Sequence, residues 1–521
     1  MKKLFLFIAT LGIIANAIAQ HTNVLISNEN NPEEPSIMVN PLNTNEIIAG
    51  ANISKYSFSI DGGYTWTDGN LTSAQYGVWG DPCLIVDTAG RYYFFHLSNP
   101  PAGEGNWIDR IVCQTTDSIN GLWNEGTYTF LDGSKAQDKE WAIVDRTNNN
   151  IYVTWTQFDN YGTSNPLDSS IILFSKSTDA GQTWESPKRI NDKAGDCVDS
   201  DNTVEGAVPA VGPNGEIFVS WAGPEGLMFN KSLDEGTTWL TENIFVSDIP
   251  GGWDFNIEGI SRCNGLPITA CDISNGAYRG NIYINWSDQQ NGETDTDIWF
   301  SKSTDGGNTW CTPKRVNDDL SNKQQFFTWM CVDQITGYIY FVFYDRRNYD
   351  DTQTDVYMAV SKDGGETFIN FKISDSPFIP NDLIFFGDYT NISAHNNVIR
   401  PIWTRLNNNQ LSILTAIIDT TMMGINNKDI APYFSLEQNT PNPFIDNTYI
   451  SFKLHKNAVI TLYVCDIYGR ILATLVNNEK YNSGKYIFSF NASEFNLPSG
   501  VYYFSLISNE KMLTRKMLLL K

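Results

Sequence analysis

Histidine is scarce in this chain of 521 residues: four occur, His21, His96, His395 and His455, far apart and without metal-ligand spacing, so no zinc site is expected. Positive charge is also short. Lys and Arg number 35 against 59 Asp and Glu, a formal net charge of −24, and such a surface repels nucleic acid and anionic membrane. The eight cysteines follow neither a disulfide-rich spacing nor a zinc motif. Cys197 and Cys263 fall in loops ahead of consecutive repeats and are expected to be close, with Cys263 and Cys271 as the rival pair. Cys83, Cys113 and Cys465 lie in strand patterns and read as buried thiols. Long apolar runs are missing too, apart from Leu4 to Ile14, which is shorter than the ~20 residues of a membrane span. With Lys2 and Lys3 before it and Ala17-Ile18-Ala19 after it, this run reads as a secretory signal over residues 1–20, and no transmembrane segment is expected.

What the chain has is repetition. Ser-x-Asp-x-Gly-x-Thr-aromatic occurs in full five times, at Ser59/Asp61/Gly63/Trp66, Ser177/Asp179/Gly181/Trp184, Ser232/Asp234/Gly236/Trp239, Ser303/Asp305/Gly307/Trp310 and Ser361/Asp363/Gly365/Phe368. A worn sixth copy holds Thr115, Asp117, Gly121 and Trp123. Each copy closes a hairpin: the aspartate accepts turn amides, the glycine tolerates positive φ, and the aromatic fills the gap between neighbouring sheets. Asp61, Asp179, Asp234, Asp305 and Asp363 are therefore structural residues. The pattern resembles the Asp-box (BNR) repeat of sialidase-like β-propellers, a group that includes sialidases, other glycoside hydrolases, sorting receptors and assembly factors, so the fold leaves the function open.

A second recurring unit is an inner strand, a turn and a second strand ending in an aromatic. Seven such units begin near Ser36, Pro82, Trp141, Ala207, Pro267, Thr328 and Tyr389. Outer strands carry a third pattern, as in Arg189-Ile190-Asn191-Asp192 and Arg315-Val316-Asn317-Asp318. The last unit lacks one, and Val24-Leu25-Ile26-Ser27-Asn28 is its counterpart at the mature N-terminus, which would close a ring. The fold class expected is all-β: a propeller over residues 21–420, with seven blades favoured and six the alternative, a linker over 421–434, and a small Ig-like β-sandwich over 435–521. The sialidases that the repeat resembles have six blades.

Tryptophan stops at Trp403, and from Ser435 onward nine Lys and Arg outnumber six Asp and Glu. Asn442-Pro443-Phe444, the strand patterns Ile450 to Leu454 and Val459 to Tyr468, Gly469-Arg470, and Leu497-Pro498-Ser499-Gly500-Val501-Tyr502-Tyr503 resemble the C-terminal sorting domain of the type IX secretion system. The resemblance implies a partner, the type IX secretion machinery, and export to the outer surface of a Bacteroidetes-type bacterium or release from it.

In a propeller, the segments leading into the innermost strands and the loops between second and third strands share one face. The lead-in segments hold Glu34, Asp81, Asp138 with Lys139 and Glu140, Glu205 and Asp388 before Tyr389. The ends of the second strands add Trp155, Trp221, Trp286, Asp345 with Arg346 and Arg347, and Trp403 with Arg405. Carboxylates accept sugar hydroxyls and aromatic rings stack on pyranose faces, so this face suits a glycan or polysaccharide. Candidate catalytic residues are Asp81, Glu140, Glu205, Asp388 and Tyr389, because glycosidic cleavage needs two carboxylates at a fixed separation. Candidate substrate-binding residues are Lys139, Trp286, Arg346, Arg347 and Arg405. The resemblance to sialidases implies three arginines, a tyrosine with a glutamate partner and a free aspartate, but the Arg-Ile-Pro string is missing, and Arg262, Arg346, Arg347, Arg400 and Arg405 match no family motif. No cofactor is expected. Calcium is the one candidate, at Asp295 with Asp297 or at Asp350, Asp351 and Asp355. The reading preferred is a secreted or cell-surface glycan-binding propeller. The alternatives are a glycoside hydrolase using paired carboxylates and a protein-interaction scaffold.

Overall fold

The computed structural model describes residues 21–418, 434–454, 457–466, 470–495, 497–508 and 511–521. The signal expected over residues 1–20 and, apart from its last residue, the linker expected over 421–434 lie outside them. The chain divides into two compact units between Asp419 and Thr420.

In the first unit the recurring second strands Ile151–Phe158, Ile217–Gly223, Ile282–Asp288 and Ile339–Asp345 are buried at every position. Burial on both faces is what a strand meets when its sheet is stacked between two others. Seven four-stranded antiparallel sheets form among the described residues of this unit. Six follow chain order from their innermost strands, Ser36–Val39, Cys83–Val86, Ala136–Val144, Glu205–Val211, Ile268–Cys271 and Gln325–Val332. The seventh draws on both ends of the unit: Asn391–His395, Val398–Asn407 and Gln410–Ile417 are completed by Thr22–Ser27, which pairs antiparallel with Gln410–Ile417. Each innermost strand packs on the next, and Asn391–His395 packs on Ser36–Val39, so the sheets form a closed ring. These strands surround an axial cavity of about 210 Å³.

The boxes hold the sheets together as the repeat predicts. Ser59 Oγ accepts the Gly63 amide and donates to Asp61, both at 2.8 Å, while Asp61 accepts the Thr65 amide at 2.9 Å and its hydroxyl at 2.7 Å. The Thr65 hydroxyl and amide hold the Asp61 carboxyl down to about 2. Equivalent bonds recur at Asp179, Asp234, Asp305 and Asp363. Four of the five box aromatics meet a ring of the preceding sheet, Trp184 on Phe95 at 5.8 Å between centroids, Trp239 on Phe174 at 4.9 Å, Trp310 on Phe229 at 5.0 Å and Phe368 on Phe300 at 5.4 Å, while Trp66 packs on an aliphatic cluster with Ile402 and Ile413. In the worn copy Trp123 keeps such a contact, with Tyr56, but Asp117 pairs with Arg91 instead of capping the turn.

Two expectations need correction. The outer strands are short, Lys188–Arg189 and Lys314–Arg315. Asn191 and Asn317 accept the Ile172 and Ile298 amides through their side chains, both at 2.9 Å, so the sheet edge is satisfied without further strand. The eight cysteines are all free thiols. Cys197 bridges to Thr163, whereas Cys263 sits in a two-stranded ribbon opposite Phe255, and Cys271 ends an innermost strand, so neither expected pair forms. Cys83, Cys113 and Cys465 are buried as read.

The second unit is all β. Phe434–Leu436, Asn447–Leu454 and Gly484–Asn491 form one sheet, and Ile471–Tyr481, Ala458–Cys465, Gly500–Ser508 and Lys511–Leu519 the other. One core, with Phe452, Leu462, Phe490, Phe504 and Leu519, takes residues from both, as in a sandwich.

Candidate functional site

Antiparallel order puts the starts of the innermost strands at one end of the ring and the boxes at the other. At the starting end the strands are bulged. Pairing slips between Asp138 and Trp141, between Glu205 and Val208, and between Phe326 and Trp329. Lys139, with φ of 52°, and Phe327, with φ of 50°, take left-handed backbone there, and Glu34 and Asp81, at 51° and 53°, do so just ahead of the first two sheets. Such conformations cost about 1–3 kcal/mol each in non-glycine residues and cluster where side chains are being aimed. Here they deliver charged groups of separate sheets to the axis.

Asp388 is the hub. Lys139 Nζ donates to it at 2.8 Å, Arg262 Nε at 2.9 Å and a second Arg262 nitrogen beside that, while Asn264 Nδ2 donates to its carbonyl at 2.9 Å. Lys139 also lies 3.5 Å from Asp81. Arg262 comes from the loop containing the ribbon Asp254–Phe255 and Cys263–Asn264, and it bridges on to Asp199 at 3.3 Å. Tyr161 OH donates to Asp199 at 2.6 Å. Burial opposes ionisation of Asp388, but Lys139 and Arg262 outweigh it and hold the carboxyl well below the usual range. Burial also opposes the Lys139 charge, and Asp388 and Asp81 overcome it.

The other acids are in the opposite state. Neither oxygen of Glu140 or Glu205 receives a donor. Burial, then Asp81, pushes the Glu140 carboxyl far up, and burial, then Asp199, does the same for Glu205. Burial and Asp81 act alike on Glu34, burial and Asp81 raise Glu33 to about 8, and burial raises Asp138 to about 7 against the pull of Lys139. The centre therefore joins one clamped carboxylate to a set of carboxyls that keep their protons.

The structure thus brings together Asp81, Lys139, Glu140, Glu205, Asp388 and Tyr389. The Tyr389 hydroxyl is buried without a partner, and its ring packs on Trp141 at 5.2 Å, which in turn meets Trp329 at 4.2 Å from across the ring. Four of the candidate substrate-binding residues, Trp286, Arg346, Arg347 and Arg405, are engaged elsewhere. Trp286 is fully buried and donates to Asp288, so it offers no face to a sugar; Trp155, Trp221 and Trp403 are buried likewise. Arg347 is tied to Asp345 and Asp318 and stacked on Tyr357. Arg346 is buried, donates to Thr354 and covers Phe326. Arg405 pairs with Asp375 and Ser376. Arg400 donates to the Gly62 carbonyl in the first box.

The exposed aromatics of this face are ones the sequence pattern passed over. Trp79 is 37% exposed and Trp107 46%, edge to face at 6.0 Å, and Trp107 continues onto Tyr161 at 5.8 Å. Phe385 lies under the Arg262 guanidinium. The available signal was tryptophan within loop sequence, Gly77-Val78-Trp79-Gly80 and Gly105-Asn106-Trp107, where no strand periodicity calls for burial. Of the calcium candidates, Asp297 accepts Asn317 at 2.6 Å and Asp355 accepts Ser374 at 2.8 Å, both as sheet ties. No group of three or more His, Cys, Asp or Glu able to hold a metal ion occurs among the described residues.

No curated protein matches the chain. Among solved structures, an ulvan lyase bound to a GlcA(1-4)Rha3S unit is similar with a TM-score of 0.46 and 14% identity, over 75% of this chain and 95% of that one. The NanB sialidase from Streptococcus pneumoniae is similar at 0.43 and 10%, over 71% and 83%. The sialidase of Trypanosoma rangeli is similar at 0.40 and 11%, over 87% and 85%. No helix among the described residues is long and apolar enough to cross a membrane. The chain therefore joins a ring of sheets built on Asp boxes to a C-terminal segment, residues 440–520, that matches the secretion system C-terminal sorting domain.

Proposed function

We propose that this is an exported propeller, displayed on the cell surface or released, which recognises neutral glycans on the face around Asp388 without turning them over. The observation that carries this reading is the exposed pair Trp79 and Trp107 running through half-buried Tyr161 onto Asp199 and Arg262. Rings supply stacking faces, and the clamped charges beside them supply fixed hydrogen-bond partners. The sorting domain supports export. Neutral ligands are favoured because Arg262, Arg347 and Arg405 of this end are paired with carboxylates, because the Arg346 guanidinium is buried over Phe326, and because the chain carries a net charge of −24.

A hydrolase is the second reading. Asp138, raised to about 7, and an ionised Asp388 both face Lys139, a division of protonation states that acid–base chemistry uses. Against it, Glu140 is 1% exposed and Glu205 0%, too enclosed to meet a polymer.

The test is a glycan array with the mature protein, followed by calorimetry on the hits. Saturable binding to neutral glycans, reduced about tenfold in Trp107→Ala, a loss of about 1.4 kcal/mol, supports the reading. Release of sugar that is abolished in Asp138→Asn would replace it with the hydrolase.

A further inference from the structure

The axial cavity lies on the far side of the rings just described. Trp141 and Trp329, in contact from opposite sides of the ring, close it toward the acid cluster. Its walls are largely apolar, with Met38, Val208, Ala270 and Cys331 among them. At the other end, past the last residues of the innermost strands, stand Arg146, Gln334 and Ile273. A volume of about 210 Å³ exceeds the ~150 Å³ of an apolar cavity known to hold benzene.

Among the described residues, the Arg146 guanidinium and His395 Nδ1 are the donors left over at this end. Gln334 is satisfied, donating to the Cys271 carbonyl at 2.8 Å and accepting the Ile273 amide at 2.8 Å. Asp333, the carboxylate nearest Arg146, is fully buried and accepts the amides of Ile335, Asn396 and Asn397 at 2.9, 3.0 and 2.8 Å. The Arg146 guanidinium has neither hydrogen bond nor ion pair among the described residues, and burial weakens its hold on its proton. His395 lies beside it with a buried Nδ1 that has no partner. The half-buried guanidinium meets the Asp333 charge only through space, with no hydrogen bond to it, so its donors are left for an anionic ligand.

We propose that the axial cavity binds a small apolar carboxylate, with its tail between Met38 and Ala270 and its headgroup on Arg146, where His395 Nδ1 adds a donor in one tautomer. The site is separate from the face around Asp388. The apolar walls select against bare anions such as acetate, which would leave the cavity unfilled, and the guanidinium selects against neutral tails.

The full-length mature protein is titrated with hexanoate, 1-hexanol and acetate, followed by calorimetry and by tryptophan fluorescence, to which Trp141 and Trp329 in the cavity wall respond. Saturable hexanoate binding with a spectral shift is expected, at least tenfold tighter than 1-hexanol or acetate. Arg146→Met removes that preference, Arg146→Lys restores most of it, and Ala270→Leu, which fills the cavity, abolishes binding while thermal melting confirms a folded ring. Absence of saturable hexanoate binding, or binding unchanged in both Arg146→Met and Ala270→Leu, overturns the proposal.

Discussion

Glu205 carries the electrostatic character of the acidic face in a single side chain. It is fully buried with no donor to either oxygen, so the proton stays on the carboxyl and is available to the neighbouring Asp199. Its folded-state value, like those of Glu33, Glu34, Asp138 and Glu140, is raised above the unfolded one. Above the ordinary carboxylate range, and up to about pH 7 for Asp138 and about pH 8 for Glu33, the folded chain thus keeps protons that the unfolded chain releases, and stability falls as pH rises, by about 1.4 kcal/mol per pH unit for each whole proton so held. Asp388 works in the other direction, its stabilisation present above the unfolded value and lost in acid. Melting followed at pH 5, 6, 7 and 8 should show a falling midpoint, with a shallower fall in Glu205→Gln by about one proton. A midpoint that rises over this range would refute the assignment. Glu33 apart, these acids were legible in sequence because they lie at the lead-in to recognisable innermost strands. Trp286 misled because a tryptophan ending a second strand looks the same whether it faces an open end or a neighbouring sheet. Arg262 was legible only as an unplaced arginine, since its partner Asp388 lies 126 residues away.

Among the elements, the box turn is where local sequence and packing agree most closely. In the copy Asp305-Gly306-Gly307 both glycines have positive φ, 72° and 78°. A Cβ at Gly306 would meet nothing within 4 Å, whereas at Gly307 it would come within 2.5 Å of Phe229 in the preceding sheet. Gly306→Ala should cost only the left-handed backbone, about 1–2 kcal/mol. Gly307→Ala adds overpacking of about 1–3 kcal/mol, so its melting point should be the lower of the two; equal melting points would mean that the box does not fix the spacing between sheets. The long loop from Trp253 to Gly265 shows the limit of pattern reading. Its ribbon positions Arg262, and its Trp253 is buried against the fourth and fifth sheets. Loops without periodicity give sequence no register to read. The outer strands ended early for a related reason: Asn191 and Asn317 complete the edge with side chains, which strand propensity does not register.

At the scale of the whole molecule, closure of the ring depends on a strand from the opposite end of the unit. Val24 pairs with Thr415 and Leu25 with Leu414, so the sheet that follows Asp388 is completed by Thr22–Ser27. Removing residues 21–28 should expose the edge of Gln410–Ile417, lower the melting point and promote association at high concentration, as read by light scattering. An unchanged, monomeric melt would show that the strand is dispensable. This closure was legible because the last unit lacked an outer strand and the chain start supplied one. Which end of the ring gathers the acids was legible from strand order, whereas the aromatics exposed there were not, since their exposure depends on how loops of separate sheets meet. The measurement that bears most directly on the account is calorimetric titration of the mature protein and of Trp107→Ala and Arg262→Ala with a neutral oligosaccharide chosen from the array. The account predicts saturable binding without product, weakened about tenfold or more in both variants; binding unaltered in both, or a preference for sialylated or sulfated glycans, would contradict it.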